Sequence, residues 1–334
     1  MEPFNTRGPL FPDYDSYLAA KKAERKTIRL LGFYIGSAIL LYIALQNILT
    51  LPLAVPSLHE KYNTDSLFQN GVDLLVITAS MLLPFLALSR PMRAVSGCTD
   101  PLPLEKPQGG ADVLLTVPAG LMFCMAANYI TDLLVTGLSG LGVELSAPDL
   151  PLPTGALGVT TAVFRVVIMP ALVEEFCFRG VVMQHLRRFG NGFAVVAAAL
   201  CFGLLHCNLV QMPFAFIVGL ALGFFVLRTG SLWPAILIHA LNNSVSLVFS
   251  YLSGSVSERI IDFAYLFVQG TLFGCGAICF LIYLYRTRDK EPASRPVQTV
   301  CTFGEKLGAT FSSPTMLISV CAVLYFTSRY VGLT

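Results

Sequence analysis

Residues 157–184 read LGVTTAVFRVVIMPALVEEFCFRGVVMQ. A bilayer-spanning helix needs about 20 mainly apolar residues, and this stretch is long and apolar enough to be one. Glu174, Glu175 and Arg179 nevertheless stand inside it. Each charge costs on the order of 2.5–3.5 kcal/mol at the bilayer centre on insertion scales. The three side chains are therefore predicted to face a polar interior or a water-filled cavity rather than lipid.

The composition of the whole chain agrees with a lipid environment. Of 334 residues, 55% are hydrophobic and 13% are charged, with a net charge of +2, whereas soluble proteins carry about 25% charged residues. These values exclude an ordinary soluble enzyme, a disordered protein and a nucleic-acid binder with a large basic surface. We predict an all-α, polytopic membrane protein with about 8–9 transmembrane helices around a mid-membrane cavity, because helices satisfy every backbone polar group within one segment.

The apolar segments define the candidate spans and the domain organisation. Two glycine pairs, Gly219–Gly223 and Gly270–Gly274, have the GxxxG spacing that lets helices approach closely. We predict an N-terminal segment at 1–29, a single membrane domain at 30–332, and a catalytic core at about 157–252. The candidate spans are roughly 30–50, 71–89, 112–137, 157–184, 193–208, 211–227, 232–252, 263–285 and 314–332. The fifth and sixth are short and are expected to form a tight or partly re-entrant hairpin.

The positive charges predict the orientation. Residues 1–29 lack the short apolar core of a signal peptide, and they end in a basic run before the first span. With the N-terminus inside, nearly all lysines and arginines of the loops fall on the inner side, while the outer loops hold Lys61 and Arg259. This is a positive-inside pattern. We therefore expect a multi-pass protein of the cell membrane with a cytoplasmic N-terminus.

Helix geometry predicts different roles for the charged residues of the fourth span. Glu175 and Arg179 are four residues apart with the acid first, which is the favoured order for an ion pair. Glu174 lies about 100° around the helix and is predicted to be available for chemistry. Pro170, one turn earlier, is expected to kink the helix. Arg165, on the opposite face from Glu174, is expected to pair with Asp132 of the third span.

Two further spans carry imidazoles. Phe202 and His206 are four residues apart in one span, and His239 and Asn243 are four apart in another. At 1.5 Å per residue, Glu174, His206 and His239 lie about 15, 20 and 10 Å from the inner ends of their helices. Three helices thus bring an acid, two imidazoles and an amide to similar depths.

Three motifs follow one another along the chain: E-E-x-x-x-R at 174–179, F-x-x-x-H at 202–206 and H-x-x-x-N at 239–243. In this order they resemble the bacterial form of the CPBP family. This family comprises the type II CAAX prenyl endopeptidases and bacteriocin-processing or immunity proteins. The resemblance covers about 165–250. It implies an intramembrane endopeptidase whose cavity opens toward the cytoplasm. In the family, the residues matching Glu174 and His206 are proposed to activate water, and those matching His239 and Asn243 to stabilise the oxyanion; Glu175 and Arg179 have a supporting role.

Other readings of the same residues remain open. No cofactor is favoured, but Glu174, His206 and His239 could instead ligate Zn²⁺ in a metalloprotease. A third reading is a non-catalytic immunity or scaffold protein that binds a peptide in the cavity. The expected partners are the lipid bilayer and a membrane-associated peptide or protein substrate, with cleavage near the cytoplasmic face and no nucleic acid.

Overall fold

The computed structural model describes residues 11–98, 102–148, 151–253, 255–290 and 298–333. Helices dominate, and two short strands form a two-stranded sheet. In chain order the elements are α1 Tyr14–Thr50, α2 Pro56–Thr64, α3 Ser66–Ser96, α4 Val113–Ser139, β1 Val143–Leu145, α5 Gly155–Val163, α6 Met169–Glu175, α7 Met183–Arg187, α8 Asn191–Leu204, α9 Met212–Thr229, α10 Trp233–Leu252, α11 Glu258–Thr287, α12 Phe303–Phe311, α13 Pro314–Ser328 and β2 Val331–Leu333.

Within the described ranges, seven helical segments are long and apolar enough to cross a membrane. An eighth span results if α12 and α13, which are bent by 76° at a short break, are counted as one. Large apolar side chains such as Leu75, Leu133 and Phe263 are exposed on the outside of the bundle, as expected for surfaces that face lipid. The prediction of an all-α polytopic membrane protein is confirmed.

Two predicted boundaries differ from the structure. The predicted fifth span is the 14-residue helix α8, which is too short to cross a bilayer. The predicted first span is only the second part of α1, which begins at Tyr14 behind an N-cap at Asp13. The Asp13 side chain accepts a hydrogen bond from Ser16 N at 2.7 Å. The predicted boundary at residue 29 therefore falls inside a continuous helix, because basic residues are good helix formers.

The two ends of the bundle differ in charge and structure. β1 follows α4, and β2 follows α13; the strands pair antiparallel, so both helices finish at the same end. We call this the sheet end. At the opposite end, Lys21 pairs with Glu305 at 2.8 Å. Ion pairs also join Asp112, at the start of α4, to Arg286 and Lys290. We call this the basic end.

The two glycine pairs behave differently. A Cβ built on Gly219 would lie 2.9 Å from Ala199 Cβ, and one on Gly223 would lie 3.0 Å from Val195 Cγ1. These contacts confirm a close approach of α9 to α8. No described atom lies within 4 Å of a Cβ built on Gly270 or Gly274. The expectation of close packing at this second pair is wrong because that face of α11 meets no neighbouring helix.

Candidate functional site

The two adjacent glutamates lie on a distorted segment. Residues Gly155–Arg187 form one long helical segment, but π-helical turns at Phe164–Ile168 and Phe176–Val182 flank α6. Such turns are rare and occur frequently at functional sites. Pro170 lies in the first turn of α6, directly after the first π-turn, and the predicted kink at this proline stays a prediction.

Glu175 is fully buried and has two partners, a guanidinium and an imidazole. Its Oε1 accepts hydrogen bonds from Arg179 Nη1 at 2.8 Å and from His239 Nδ1 at 2.9 Å. The Arg179 guanidinium lies over the Phe202 ring, 4.4 Å from its centroid. The predicted pair with Arg179 is thus formed, but the view of Glu175 as only structural is incomplete. Its carboxylate also positions a predicted site residue on α10.

Glu174 lies on the other side of His239. Its Oε2 is 3.8 Å from His239 Nε2, and its side chain is 16% exposed. The imidazole is therefore held at Nδ1 by a buried carboxylate and faces a partly exposed carboxylate at Nε2. A contact of 3.8 Å is longer than a hydrogen bond. The two groups can both reach a small reacting group placed beside them.

His206 lies just beyond the end of α8. Its Nδ1 is 3.0 Å from the Phe202 carbonyl oxygen, and its ring packs against the Phe202 ring with centroids 5.1 Å apart. Glu174 and His206 line the same cavity. The ion pairs in the described residues include none between these two side chains, whereas Glu174 Oε2 lies 3.8 Å from His239 Nε2. The prediction that Glu174 and His206 together activate water stays a prediction.

Asn243 is fixed by the distorted segment that carries the glutamates. Its Nδ2 donates to the Val166 carbonyl oxygen at 3.0 Å. In an α-helix that carbonyl would accept from residue 170, but Pro170 has no N–H. The neighbouring Asn242, which was not predicted as a site residue, is buried and donates to Asn243 Oδ1 at 3.3 Å. The amide at 243 is therefore oriented by contacts on both of its polar atoms.

These side chains line a cavity of about 510 Å³. Glu174, His206, His239 and Asn243 all contribute to its wall. Glu175 and Arg179 lie behind the wall in the packed interior. A second cavity of about 430 Å³ shares part of this wall. The residues common to both are Asp73, Ile77 and His206.

Both cavities extend toward the sheet end. The first reaches Ser250, near the last residue of α10, and the second reaches Thr50, Pro148 and Tyr330. Under the positive-inside pattern of the loops, this end would be the outer side of the membrane. A cytoplasmic N-terminus, as the positive-inside pattern predicts, would place these cavity mouths on the side away from the cytoplasm, whereas the family resemblance implies a cavity that opens toward the cytoplasm.

The buried arginine of the π-turn has a partner different from the predicted one. Arg165 Nη1 lies 2.7 Å from Asp73 Oδ2, and its Nη2 donates to the Pro151 carbonyl. Asp132, the predicted partner, lines the large cavity instead. The prediction was wrong because α3, not α4, packs against residues 155–168. Asp73 could have been found by the same rule as Glu174, since it is an ionisable residue inside an apolar segment.

The candidate zinc ligands are not brought together. In the described part of the chain, no three His, Cys, Asp or Glu side chains are grouped closely enough to hold a metal ion. Glu174 and His239 approach one another, while His206 Nδ1 contacts the Phe202 carbonyl oxygen. The arrangement of these residues therefore does not fit a three-ligand site.

Fold and cavity together define the class of the protein: a multi-pass helical membrane protein with an acid-, imidazole- and amide-lined cavity between its spans. Residues 156–245 match the family model described as type II CAAX prenyl endopeptidase, Rce1-like. Over this segment the chain is similar to the CAAX-type intramembrane proteases, in agreement with its three motifs. The match includes every residue of the candidate site. No curated protein and no solved structure matches the chain.

Proposed function

We propose that this protein is an intramembrane endopeptidase that cleaves a membrane-associated peptide or protein tail, with Glu174 as the general base. The observation that carries the proposal is the pair formed by Glu174 Oε2 and His239 Nε2, 3.8 Å apart on the wall of a large cavity. The family match over 156–245 supports peptide-bond hydrolysis as the reaction. The carboxyl-terminal segments of prenylated proteins are one substrate group that the family's description suggests.

The reaction needs a base, an acid and donors to the oxyanion. Glu174 removes a proton from water, and the hydroxide attacks the scissile carbonyl carbon to form a tetrahedral intermediate. The protonated Glu174 then delivers that proton to the leaving amine as the C–N bond breaks. His206, which lines the same cavity, contributes to holding the water. The products are one free carboxylate and one free amine, so the step requires no further reactant.

His239 and Asn243 are the proposed oxyanion donors. Glu174, Glu175 and Arg179 together carry a net charge of −1, so an imidazolium at His239 would balance the cluster. Its Nδ1–H then bonds to Glu175, and its Nε2–H points toward the developing oxyanion. Asn243 uses one amide hydrogen for Val166, and the second is available to the same oxyanion. A donor of this kind contributes about 3–4 kcal/mol to transition-state stabilisation in well-studied hydrolases.

A zinc-dependent mechanism has one observation in its favour. The Nδ1 atoms of His206 and His239 both contact oxygen atoms, which leaves Nε2 for a ligand, as in many metal sites. Against it, the three side chains are not grouped for coordination in the described structure. We therefore favour the metal-free glutamate mechanism and route no step through a metal.

The test compares peptide ends in membranes from cells that produce the wild-type protein or the Glu174→Gln variant. Glutamine keeps the shape and hydrogen bonding of the side chain but is not a base. Glu258→Gln, the same change at an exposed helix start outside the cavity, is the matched control. We expect a set of new peptide ends that is present with wild type and Glu258→Gln and absent with Glu174→Gln. Identical peptide ends in all three samples, at equal protein levels, would refute proteolysis and favour a peptide-binding role.

A further inference from the structure

The charge asymmetry of the fold relates the cavity to the two sides of the membrane. The helix ends and loops at the sheet end carry few cations, namely Lys61, Arg259 and Arg329. The described cations at the basic end include Lys21, Lys22, Arg25, Lys26, Arg29, Arg90, Arg93, Lys106, Arg187, Arg188, Arg228, Arg286, Arg288, Lys290 and Lys306. Under the positive-inside rule, the basic end is cytoplasmic. The sheet end is then extracytoplasmic.

The basic end of the site is closed by a segment of the chain. Residues 102–108, between α3 and α4, form four hydrogen bonds with residues 229–233 at the start of α10, one of them from Gln108 N to the Thr229 carbonyl. Leu232 N donates to the Pro103 carbonyl at 2.7 Å, and Ser231 Oγ to the Glu105 carbonyl at 2.7 Å. Trp233 Nε1 donates to the Leu104 carbonyl at 3.0 Å. The polypeptide therefore covers the start of α10, two turns below His239.

The interior on the same side is also densely packed. Leu102 contacts the position of Gly180, since a Cβ built there would lie 3.3 Å from Leu102 Cδ2. Phe178 and Arg179, which follow Glu175 toward the basic end, and Ile238, which precedes His239, are fully buried. Close-packed side chains leave no room for a substrate. Access from the basic end would require this packing and the 102–108 segment to be displaced.

The sheet side of the site is polar and open. Between the catalytic residues and Ser250, the cavity wall carries Asn128, Thr131, Asp132 and Ser246. Ser246 and Ser250 are exposed. Amide and hydroxyl groups that line a membrane cavity can form hydrogen bonds with a polypeptide backbone, whereas an acyl chain has no groups that form such bonds. This lining suits a peptide segment that descends from the water at the sheet end.

We infer that the proteolytic cavity is entered from the extracytoplasmic side, and that its substrate is a polypeptide segment presented at the outer face of the membrane. That the bound segment is a protease substrate rests on the proposed function. The direction of access depends only on the cavity and on the distribution of charges. It replaces the cytoplasmic cleavage site that the family resemblance implied.

Cysteine labelling tests the direction of access without requiring a substrate. The parent chain carries Cys98→Ser and Cys207→Ser, which removes the native thiols nearest to the basic end and to the second cavity. Ser250→Cys places a thiol at the cavity mouth, and Gly304→Cys places one at the basic end, where a Cβ meets nothing within 4 Å. The probe is a membrane-impermeant maleimide, applied to intact cells and to inverted membrane vesicles.

We expect Ser250→Cys to be labelled in intact cells well above the parent, and Gly304→Cys to be labelled only in inverted vesicles. Labelling of Ser250→Cys only in inverted vesicles, labelling of Gly304→Cys in intact cells, or no labelling of Ser250→Cys in either preparation would each overturn the inference. None of these outcomes bears on the proteolytic activity, which depends on Glu174→Gln. Failure of the access direction and failure of the proposed function are therefore distinguishable.

Discussion

Oε1 of Glu175 accepts hydrogen bonds from both Arg179 and His239, at 2.8 and 2.9 Å. One carboxylate oxygen thus links a helical i,i+4 ion pair to a side chain on another helix. The second oxygen of Glu175 has no hydrogen-bond partner in the described structure. Because the group is fully buried, its two contacts determine both the stability of the helix pair and the orientation of the imidazole.

Neutralising Glu174 is expected to affect mainly the reaction rate, whereas neutralising Glu175 is expected to affect both stability and activity. Glu174→Gln removes basicity at the cavity wall and should keep the wild-type melting temperature, but lose at least about 10²-fold in rate. Glu175→Gln leaves Arg179 buried without its counter-charge, which costs about 3–5 kcal/mol in other buried pairs. It should melt at a lower temperature and lose activity because His239 is no longer held.

Both variants are to be purified, melted and assayed side by side on a peptide whose cleavage depends on the wild-type protein. If Glu174→Gln melts early while Glu175→Gln has the wild-type melting temperature and no activity, the roles are reversed and Glu175 is the base.

Arg165 makes the Asp73 carboxylate structurally important. The Arg165 side chain is 2% exposed, so Asp73→Asn leaves a nearly buried cation without its ion pair. We expect a loss of about 3 kcal/mol in stability, at the lower end for a broken buried pair, because the Pro151 carbonyl still accepts from Arg165. Asp132→Asn is the matched control and should melt like the wild type. Equal melting temperatures for both variants in detergent would contradict this assignment.

Because Asn243 donates to the Val166 carbonyl, we expect substitutions at Asn243 and Pro170 to have coupled effects on stability. Asn243→Ala leaves that carbonyl without its side-chain donor and should cost about 1 kcal/mol. In a Pro170→Ala background, residue 170 regains an N–H that can bond to the same carbonyl. The cost of Asn243→Ala should then shrink by at least about 0.5 kcal/mol in a double-mutant cycle. Strictly additive effects on unfolding would show that the two residues do not share this acceptor.

Gly219 is predicted to be essential to the packing around Arg179. A Cβ at this position would lie 2.9 Å from Ala199 Cβ and 3.3 Å from Arg179 Nη2. Gly219→Ala should therefore destabilise the protein by about 1–3 kcal/mol, as overpacked cores do, and lower activity by displacing Arg179. Gly270→Ala, where the added methyl meets nothing described, should leave melting and activity unchanged. A normal melting temperature for Gly219→Ala would mean that α8 and α9 separate more easily than their contact indicates.

Metal removal distinguishes the two hydrolytic mechanisms. We expect the purified protein to hold well under one zinc ion per chain by elemental analysis and to keep its activity after dialysis against a chelator. The reason is that no three His, Cys, Asp or Glu side chains in the described residues are grouped closely enough to hold a metal ion. Stoichiometric zinc that is lost together with activity in His206→Ala would establish the metal-dependent mechanism instead.

The sequence determined the features that depend on local chemistry. Apolar segments predicted a polytopic helical protein because only internally hydrogen-bonded helices satisfy the backbone of a single segment in lipid. The spacing of Glu175 and Arg179 predicted their ion pair, since residues four apart meet on any α-helix. Charges and imidazoles in apolar segments pointed to the cavity wall for the same energetic reason.

Only the tertiary structure decided which helices face one another. The contacts of His239 with the two glutamates, of Asp73 with Arg165, and of Asn243 with Val166 each join residues more than sixty positions apart. Their formation depends on the rotation and depth of each helix, which are set by side-chain packing over the whole bundle. The direction of the cavity has the same origin. The 102–108 segment closes one end of the site through backbone carbonyls, and such contacts leave no pattern in the residue types.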